Sequence, residues 1–151
     1  MKLRELTKGL DIVSVSGPAE REITALTSDS RNAAEGGMFV AVRGVTVDGH
    51  SFIPSLLSSG LAAIVVEEIP AEVPQGATVV QVRDSAIALG QLASNWYGNP
   101  SARLRLVGVT GTNGKTTTAT LIYEMARLMG YRAGLLSTVV NYVCLLYTSP
   151  S

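Results

Sequence analysis

The segment Leu106-Val107-Gly108-Val109-Thr110-Gly111-Thr112-Asn113-Gly114-Lys115-Thr116-Thr117 constrains this chain more than any other. An apolar run enters a glycine-rich turn, and a lysine and hydroxyl residues follow where a helix should open. That order suits a strand–loop–helix unit holding a polyphosphate. Glycines let the main chain approach phosphate oxygens, and successive N–H groups form an anion nest. The positive end of the helix dipole adds to the attraction. Lys115 is placed to reach the outer phosphates, and the Thr116 hydroxyl to ligate Mg²⁺. The G-x-x-x-x-G-K-[ST] pattern is met at Gly114, Lys115 and Thr116, but Val109 stands where its first glycine would be. A strand before, a helix after and the run G-K-T-T favour a phosphate-binding loop over an ordinary turn with an incidental lysine.

Bulk properties narrow the setting. The 151 residues suffice for one ordinary domain, or a small one plus part of another. Hydrophobic residues make up 46% and mean hydropathy is +0.29, so a packed core is expected and disorder is not. Twelve basic residues balance twelve acidic ones, and aromatics are 5%, which argues against a nucleic-acid surface. Met1 to Leu6 lacks the apolar core of a signal peptide, and no run approaches a membrane span of roughly 20 residues. One cysteine allows no internal disulfide and no cysteine-based metal site. A soluble cytoplasmic protein is expected.

Periodicity predicts an α/β organisation. Strands are expected at 11–15, 23–26, 38–42, 62–66 and 78–82. A short helix is expected over 52–59, ending at Gly60, and a second is capped by Asp84-Ser85 and carries Ile87, Leu89, Leu92, Ala93 and Trp96. Gly98-Asn99-Pro100-Ser101 is the best linker, so a first domain is assigned to 1–98. A β–α–β run should follow: strand 104–109, loop 110–116, helix 116–129 with Gly130 as its stop, and strand 133–138. Leu121, Ile122, Met125, Leu128 and Met129 recur at helical spacing and read as core. A single crossover leaves a parallel sheet face uncovered, so the second domain, 99–143, is expected to be incomplete. Residues 144–151 contain the only cysteine and no expected strand or helix, and are read as a non-native tail.

The loop Gly111–Thr117 closely resembles the ATP loop of the Mur ligases, the amino-acid-adding enzymes of peptidoglycan synthesis. A second signature agrees: Thr27-Ser28-Asp29-Ser30-Arg31, then Gly36-Gly37-Met38-Phe39-Val40-Ala41-Val42-Arg43-Gly44, then Asp48-Gly49-His50-Ser51-Phe52-Ile53. This succession resembles the N-terminal UDP-binding domain of the third and fourth ligases, and the G-T-N-G-K-T-T form favours the third. The resemblance spans residues 1 to about 143.

It implies a small α/β UDP-substrate domain followed by the first β–α–β unit of a P-loop ATPase-type central domain. The implied activity is an ATP-dependent acid–amino-acid ligase, adding the third amino acid to UDP-N-acetylmuramoyl-L-alanyl-D-glutamate through an acyl phosphate. Implied UDP-substrate contacts are Ser28, Ser30, Val45, Thr46 and Val47. Implied ATP contacts are Gly111, Thr112, Asn113, Gly114, Lys115, Thr116 and Thr117, with Mg²⁺ on Thr116. Catalytic residues and further Mg²⁺ ligands would lie beyond this chain, which alone should be inactive. The implied partners are the UDP-muramoyl-dipeptide and an amino acid, diaminopimelate, lysine or another, with a monomeric state and neither nucleic acid nor membrane. Two alternatives stay open: a ligase of the fourth type, and a stand-alone nucleotide-binding module without chemistry. A switch GTPase would need an N-K-x-D motif, which is absent. Asp29 and Arg31 are equally well read as a turn salt bridge, and His50, after a D-G turn, reads as a loop residue rather than a catalyst.

Overall fold

The computed structural model describes residues 1–44, 47–143 and 146–148. They fall into two compact units, 1–104 and 105–151.

In the first unit, five strands pair in the order β1-β5-β4-β3-β2, with β1 Ile12–Ser16, β2 Leu26–Thr27, β3 Met38–Val40, β4 Ala63–Val66 and β5 Thr78–Val82. β2 to β5 are mutually parallel, and β1 runs antiparallel along β5. β3 and β4 are buried at every position, as expected for central strands written in unbroken apolar residues. Their alternate side chains feed two cores. Met38, Val40, Ala63, Val65, Val80 and Val82 face Leu3, Leu6, Ala88 and Leu92 of two helices, α1 (Leu3–Leu6) and α2 (Ser85–Trp96). Phe39, Ile64, Val66 and Val79 face Ile53 and Leu56 on the other side. Each such large apolar side chain taken fully from water contributes about 1.5–3 kcal/mol.

Several expected elements take a different form. The 52–59 segment is a 3₁₀ helix, Gly49–Leu56, with Pro54 inside. Proline cannot donate a helical N–H, and Ser51 and Ser55 hydroxyls donate to carbonyls three residues back. The strand expected at 23–26 starts only at Leu26, because Ile23 and Thr24 bond instead to Met1 and Gly36. α1 carries no side-chain cap and has no expectation in the sequence. α2 begins as expected, with Asp84 accepting from the Ile87 N–H at 2.8 Å, yet its buried stripe is Ser85, Ala88 and Leu92, and Ile87 is exposed. Gly98 and Asn99 both adopt left-handed backbone and end α2, and Pro100 opens a 3₁₀ turn to Arg103.

In the second unit, the strand expected at 104–109 is not formed. A strand persists as part of a ladder, no described residue pairs with this run, and Leu104, Leu106 and Val107 are exposed. The loop leads into α3, Lys115–Leu128. Gly130 ends α3 with φ 81°: its N–H donates to the Arg127 carbonyl and that of Tyr131 to Ala126, the reciprocal pair of a Schellman stop. β6 (Gly134–Leu136) pairs antiparallel with β7 (Asn141–Val143), so the parallel crossover expected here is replaced by a meander. β7 pairs in turn with β8, Leu146–Thr148, which corrects the expectation of no strand after residue 143. The apolar stripe read as core is largely in solvent: Leu121, Met125, Leu128 and Met129 are exposed, and α3 buries Tyr123, stacked on Tyr142 at 5.3 Å. No helix among the described residues is long and apolar enough to cross a membrane.

Candidate functional site

Because β2 to β5 are parallel, the segments that follow each of them emerge at one edge of the sheet, the carboxyl edge where open α/β sheets place their ligands. Ser28 and Ser30 follow β2, Arg43 to Asp48 follow β3, Glu67 and Glu68 follow β4, and Asp84-Ser85 follows β5. β2 and β3 are neighbours, Leu26 opposite Met38 and Thr27 opposite Phe39. The fold therefore brings the Ser28–Ser30 turn and the 43–48 loop to adjacent places. Ser28 and Val47 are exposed and Ser30 is half-buried. Val45 and Thr46, two of the expected contacts, lie outside the described residues.

The Ser28–Ser30 turn is held from within. The Asp29 N–H donates to Thr27 Oγ1 at 3.0 Å, and Asp29 caps the following 3₁₀ turn by accepting from the Arg31 N–H. The Arg31 guanidinium returns on the same carboxylate, Nε at 2.9 Å and Nη2 at 2.6 Å. The turn salt bridge is thus formed. It holds the Asp29 carboxyl down at about 2, chiefly through the guanidinium hydrogen bonds.

The 43–48 loop is closed by a bridge between Arg43 and Asp48 and by the Gly44 N–H donating to the Val47 carbonyl at 3.1 Å. Its base is tight. A Cβ on Gly49 would lie 2.7 Å from the Val42 nitrogen and 2.8 Å from its oxygen, and the Gly49 N–H donates to that same oxygen.

Around the loop gathers a polar network. His50 Nδ1 bonds Asp48 Oδ1 at 2.6 Å, and the Glu67 N–H donates to His50 Nε2 at 2.9 Å. Glu67 Oε1 accepts from the Ser85 hydroxyl at 2.6 Å and from the Ser85 N–H at 2.9 Å. The Arg43 N–H donates to Ser85 Oγ at 3.0 Å. The Arg43 side chain lies 2.9 Å from Glu68, 3.4 Å from Asp48 and 3.5 Å from Glu67. Ser85 holds the Glu67 carboxyl below its usual value, and His50 does the same for Asp48, first through its backbone N–H.

Arg43, Glu67 and Ser85 were not marked as site residues in the sequence. The visible signals were local, the Asp48-Gly49-His50 and Asp84-Ser85 caps; that they meet depends on strand order. A cleft of about 480 Å³, bounded by Glu20, Arg21, Glu22 and Glu35 among others, sits instead where β3 and β4 begin.

In the second unit, Gly111 (φ 148°) and Gly114 (φ 75°) take backbone that side chains disfavour, and Gly114 is the N-cap of α3. Lys115 is the first helical residue, and its Nζ folds back to donate to the Gly111 carbonyl at 2.5 Å and the Thr112 carbonyl at 3.3 Å. The lysine is thereby aimed into the loop. Residues 110–115 are exposed and Thr116 is half-buried. An exposed glycine turn, a helix N-terminus and an inward lysine fit an anionic phosphate chain. For Mg²⁺ the same loop offers only neutral side-chain oxygens, Thr116 Oγ1 among them, and no group of three or more His, Cys, Asp or Glu gathers among the described residues. Such a donor set fits an ion carried mainly by substrate phosphates.

Comparison with known proteins gives concordant matches. A family model described as "Mur ligase family, catalytic domain" matches residues 22–97, and one described as "Mur ligase middle domain" matches 109–149. UDP-N-acetylmuramoyl-L-alanyl-D-glutamate–2,6-diaminopimelate ligases are similar throughout: that of Cytophaga hutchinsonii is 51% identical over 144 residues and that of Parabacteroides distasonis 52% over 143, each covering 95% of this chain. The chain spans 30% and 29% of their lengths. Among solved structures, MurF from Acinetobacter baumannii matches 84% of this chain and 27% of its own at 28% identity, with a TM-score of 0.55.

Proposed function

Since the chain belongs to the Mur ligase family, we propose that it forms part of an ATP-dependent ligase of peptidoglycan synthesis, of the MurE type. The reaction joins an amino acid to the terminal glutamate carboxylate of UDP-N-acetylmuramoyl-L-alanyl-D-glutamate, with ATP as the energy source. The observation that carries this reading is identity near one half across 95% of the chain to ligases named for that substrate and for 2,6-diaminopimelate. We take diaminopimelate as the amino acid on the same ground. The MurF match is more distant, at 28% identity, and disfavours the fourth-type alternative. The reading carries with it a cytoplasmic location, a monomer, and neither nucleic acid nor membrane as partner.

In this proposal the two units divide the anions. Ser28, Ser30 and the 45–47 segment bind the uridine diphosphate at the carboxyl edge of the first sheet. Gly111 to Thr117 bind ATP. Lys115 exchanges its two loop carbonyls for phosphate oxygens, so a cation already aimed inward changes partners without a long search. Thr116 would hold Mg²⁺ through its hydroxyl. When bound, the metal offsets charge on the transferring phosphoryl oxygens.

Chemical-shift mapping on the 151-residue chain tests the assignment. UDP-N-acetylmuramoyl-L-alanyl-D-glutamate should perturb Ser28, Ser30 and Val47, and ATP with Mg²⁺ should perturb Gly111 to Thr117. Perturbations that avoid these positions would refute it.

A further inference from the structure

We propose that His50 is a positioning residue that fastens the stem of the 43–48 loop to the end of β4 and so sets the geometry of the substrate-nucleotide site. The inference rests on the proposed role of that loop in binding the uridine diphosphate and adds the side chain that holds it.

The argument starts from the two ring nitrogens. A main-chain N–H can only donate, so the bond from Glu67 requires Nε2 to be an acceptor. The ring proton must then sit on Nδ1, where it donates to Asp48 Oδ1 at 2.6 Å. One tautomer satisfies both contacts, and the ring is only 14% exposed, so the imidazole is held edge to edge between two polar partners. Asp48 ends the loop, caps the 3₁₀ segment through the His50 N–H at 2.9 Å, and closes the loop on Arg43. Glu67 follows β4 directly.

A ring whose task was packing would be served by phenylalanine. Here the main-chain ladder between β3 and β4 ends at Val40 and Val65, apart from one bond from the Ala41 N–H to the Val65 carbonyl. Beyond that point the imidazole spans from the β3 loop to the β4 end. Without it, the Glu67 N–H loses its acceptor, and the Asp48 carboxylate keeps the residue-50 main-chain N–H and Arg43 but loses its link through the ring to the β4 end. The Gly44–Val47 and Gly49–Val42 bonds and the Arg43–Asp48 bridge then carry the stem without a tie to the β4 end.

The full 151-residue chain is compared with His50→Phe, which keeps a ring of similar volume without either nitrogen, and His50→Gln, which restores an acceptor near the Nε2 position. Amide exchange is followed at Gly44 and Gly49, whose N–H groups close the stem, and at Val65 and Val80 in the sheet. Affinity for UDP-N-acetylmuramoyl-L-alanyl-D-glutamate is measured by calorimetry. In His50→Phe, Gly44 and Gly49 should exchange at least about tenfold faster with Val65 and Val80 unchanged, and affinity should fall about tenfold, the scale of a donor left without its acceptor. His50→Gln should recover most of both effects.

The wild-type imidazole ¹⁵N spectrum should show a protonated Nδ1 and a bare Nε2; the opposite tautomer overturns the assignment whether or not His50→Phe folds. Unchanged exchange at Gly44 and Gly49 in a folded His50→Phe overturns it too, as does faster exchange with undiminished affinity. A wild-type chain that fails to bind the nucleotide overturns the substrate-site reading instead, while the exchange contrast still decides whether His50 holds the stem.

Discussion

Ser85→Ala removes one oxygen from the most connected point of the carboxyl edge. Ser85 is fully buried, and its hydroxyl donates to Glu67 Oε1 at 2.6 Å while accepting from the Arg43 N–H at 3.0 Å. The Ser85 N–H still donates to Glu67 in the variant, so the carboxylate keeps one of its two bonds from this residue. A hydrogen bond to a charged group contributes about 1.5–3 kcal/mol, and a donor left unpaired out of water costs about 1–3 kcal/mol. Alanine's better helix propensity returns about 0.5 kcal/mol in the first turn of α2. These contributions overlap, and the expected net loss is about 2–4 kcal/mol. Trp96 is the only tryptophan and lies in α2, so its fluorescence during urea unfolding reports the first unit alone.

The pH dependence has a definite sign. Glu67 has a folded-state pKa below its usual value, chiefly through the Ser85 hydroxyl. Its contribution is therefore complete above the ordinary carboxylate range and is lost as pH falls through the lowered folded value. The gap between wild type and Ser85→Ala should be widest near neutral pH and narrow as pH falls below the ordinary carboxylate range, where the carboxyl becomes neutral first in the unfolded chain and then in the fold. A loss under about 0.5 kcal/mol, within the range of ordinary surface changes, or a gap that stays constant with pH, would refute the reasoning.

Lys115→Ala should abolish detectable ATP binding in an isothermal titration of the 151-residue chain, since the anion nest then lacks its cation; unchanged affinity would remove the phosphate-loop assignment. Gly49→Ala should destabilise the first unit by about 2–4 kcal/mol, because its Cβ meets main-chain atoms of Val42 that cannot rotate away; equal urea midpoints would show that the 41–49 backbone can part freely. An NMR titration of the Asp29 carboxyl should give a midpoint of about 2 in the wild type, and Arg31→Ala should raise it toward the ordinary aspartate range, the residue-31 main-chain N–H keeping part of the depression. A midpoint that Arg31→Ala leaves in place would assign the depression to another cause.

What the sequence disclosed and what it hid divide by the range of the interactions involved. β3 and β4 were legible because a strand buried on both faces must be written in consecutive apolar residues, and β5 by its three valines. The α2 cap and the Gly130 stop were legible because each is decided within one helical turn. The helix expected over 52–59 rested on apolar spacing alone, whereas Pro54 lies inside the segment and cannot donate a helical N–H, and the segment is 3₁₀. The run at 104–109 has strand composition, but composition supplies no partner, and without a ladder it remains exposed chain. The stripe on α3 has the same history, since helical spacing says which side chains share a face and not whether anything covers them.

The same division separates the two candidate sites, one in each unit. The loop proposed to bind ATP is contiguous, so glycine backbone freedom, helix N-terminus and lysine reach could all be read in one window of chain. The edge proposed to bind the substrate nucleotide is assembled from residues as far apart as Arg43 and Ser85, joined by a 3.0 Å bond that no local pattern announces. Its motif residues, Ser28 and Ser30, came from resemblance, whereas the groups that fix their surroundings came from topology. Parallel pairing of β2 through β5 puts every following segment at one edge, and only then can Asp48, His50, Glu67 and Ser85 meet. A substitution that preserves the apolar runs but alters this polar network, as Ser85→Ala does, should therefore leave the strand order intact while changing the site.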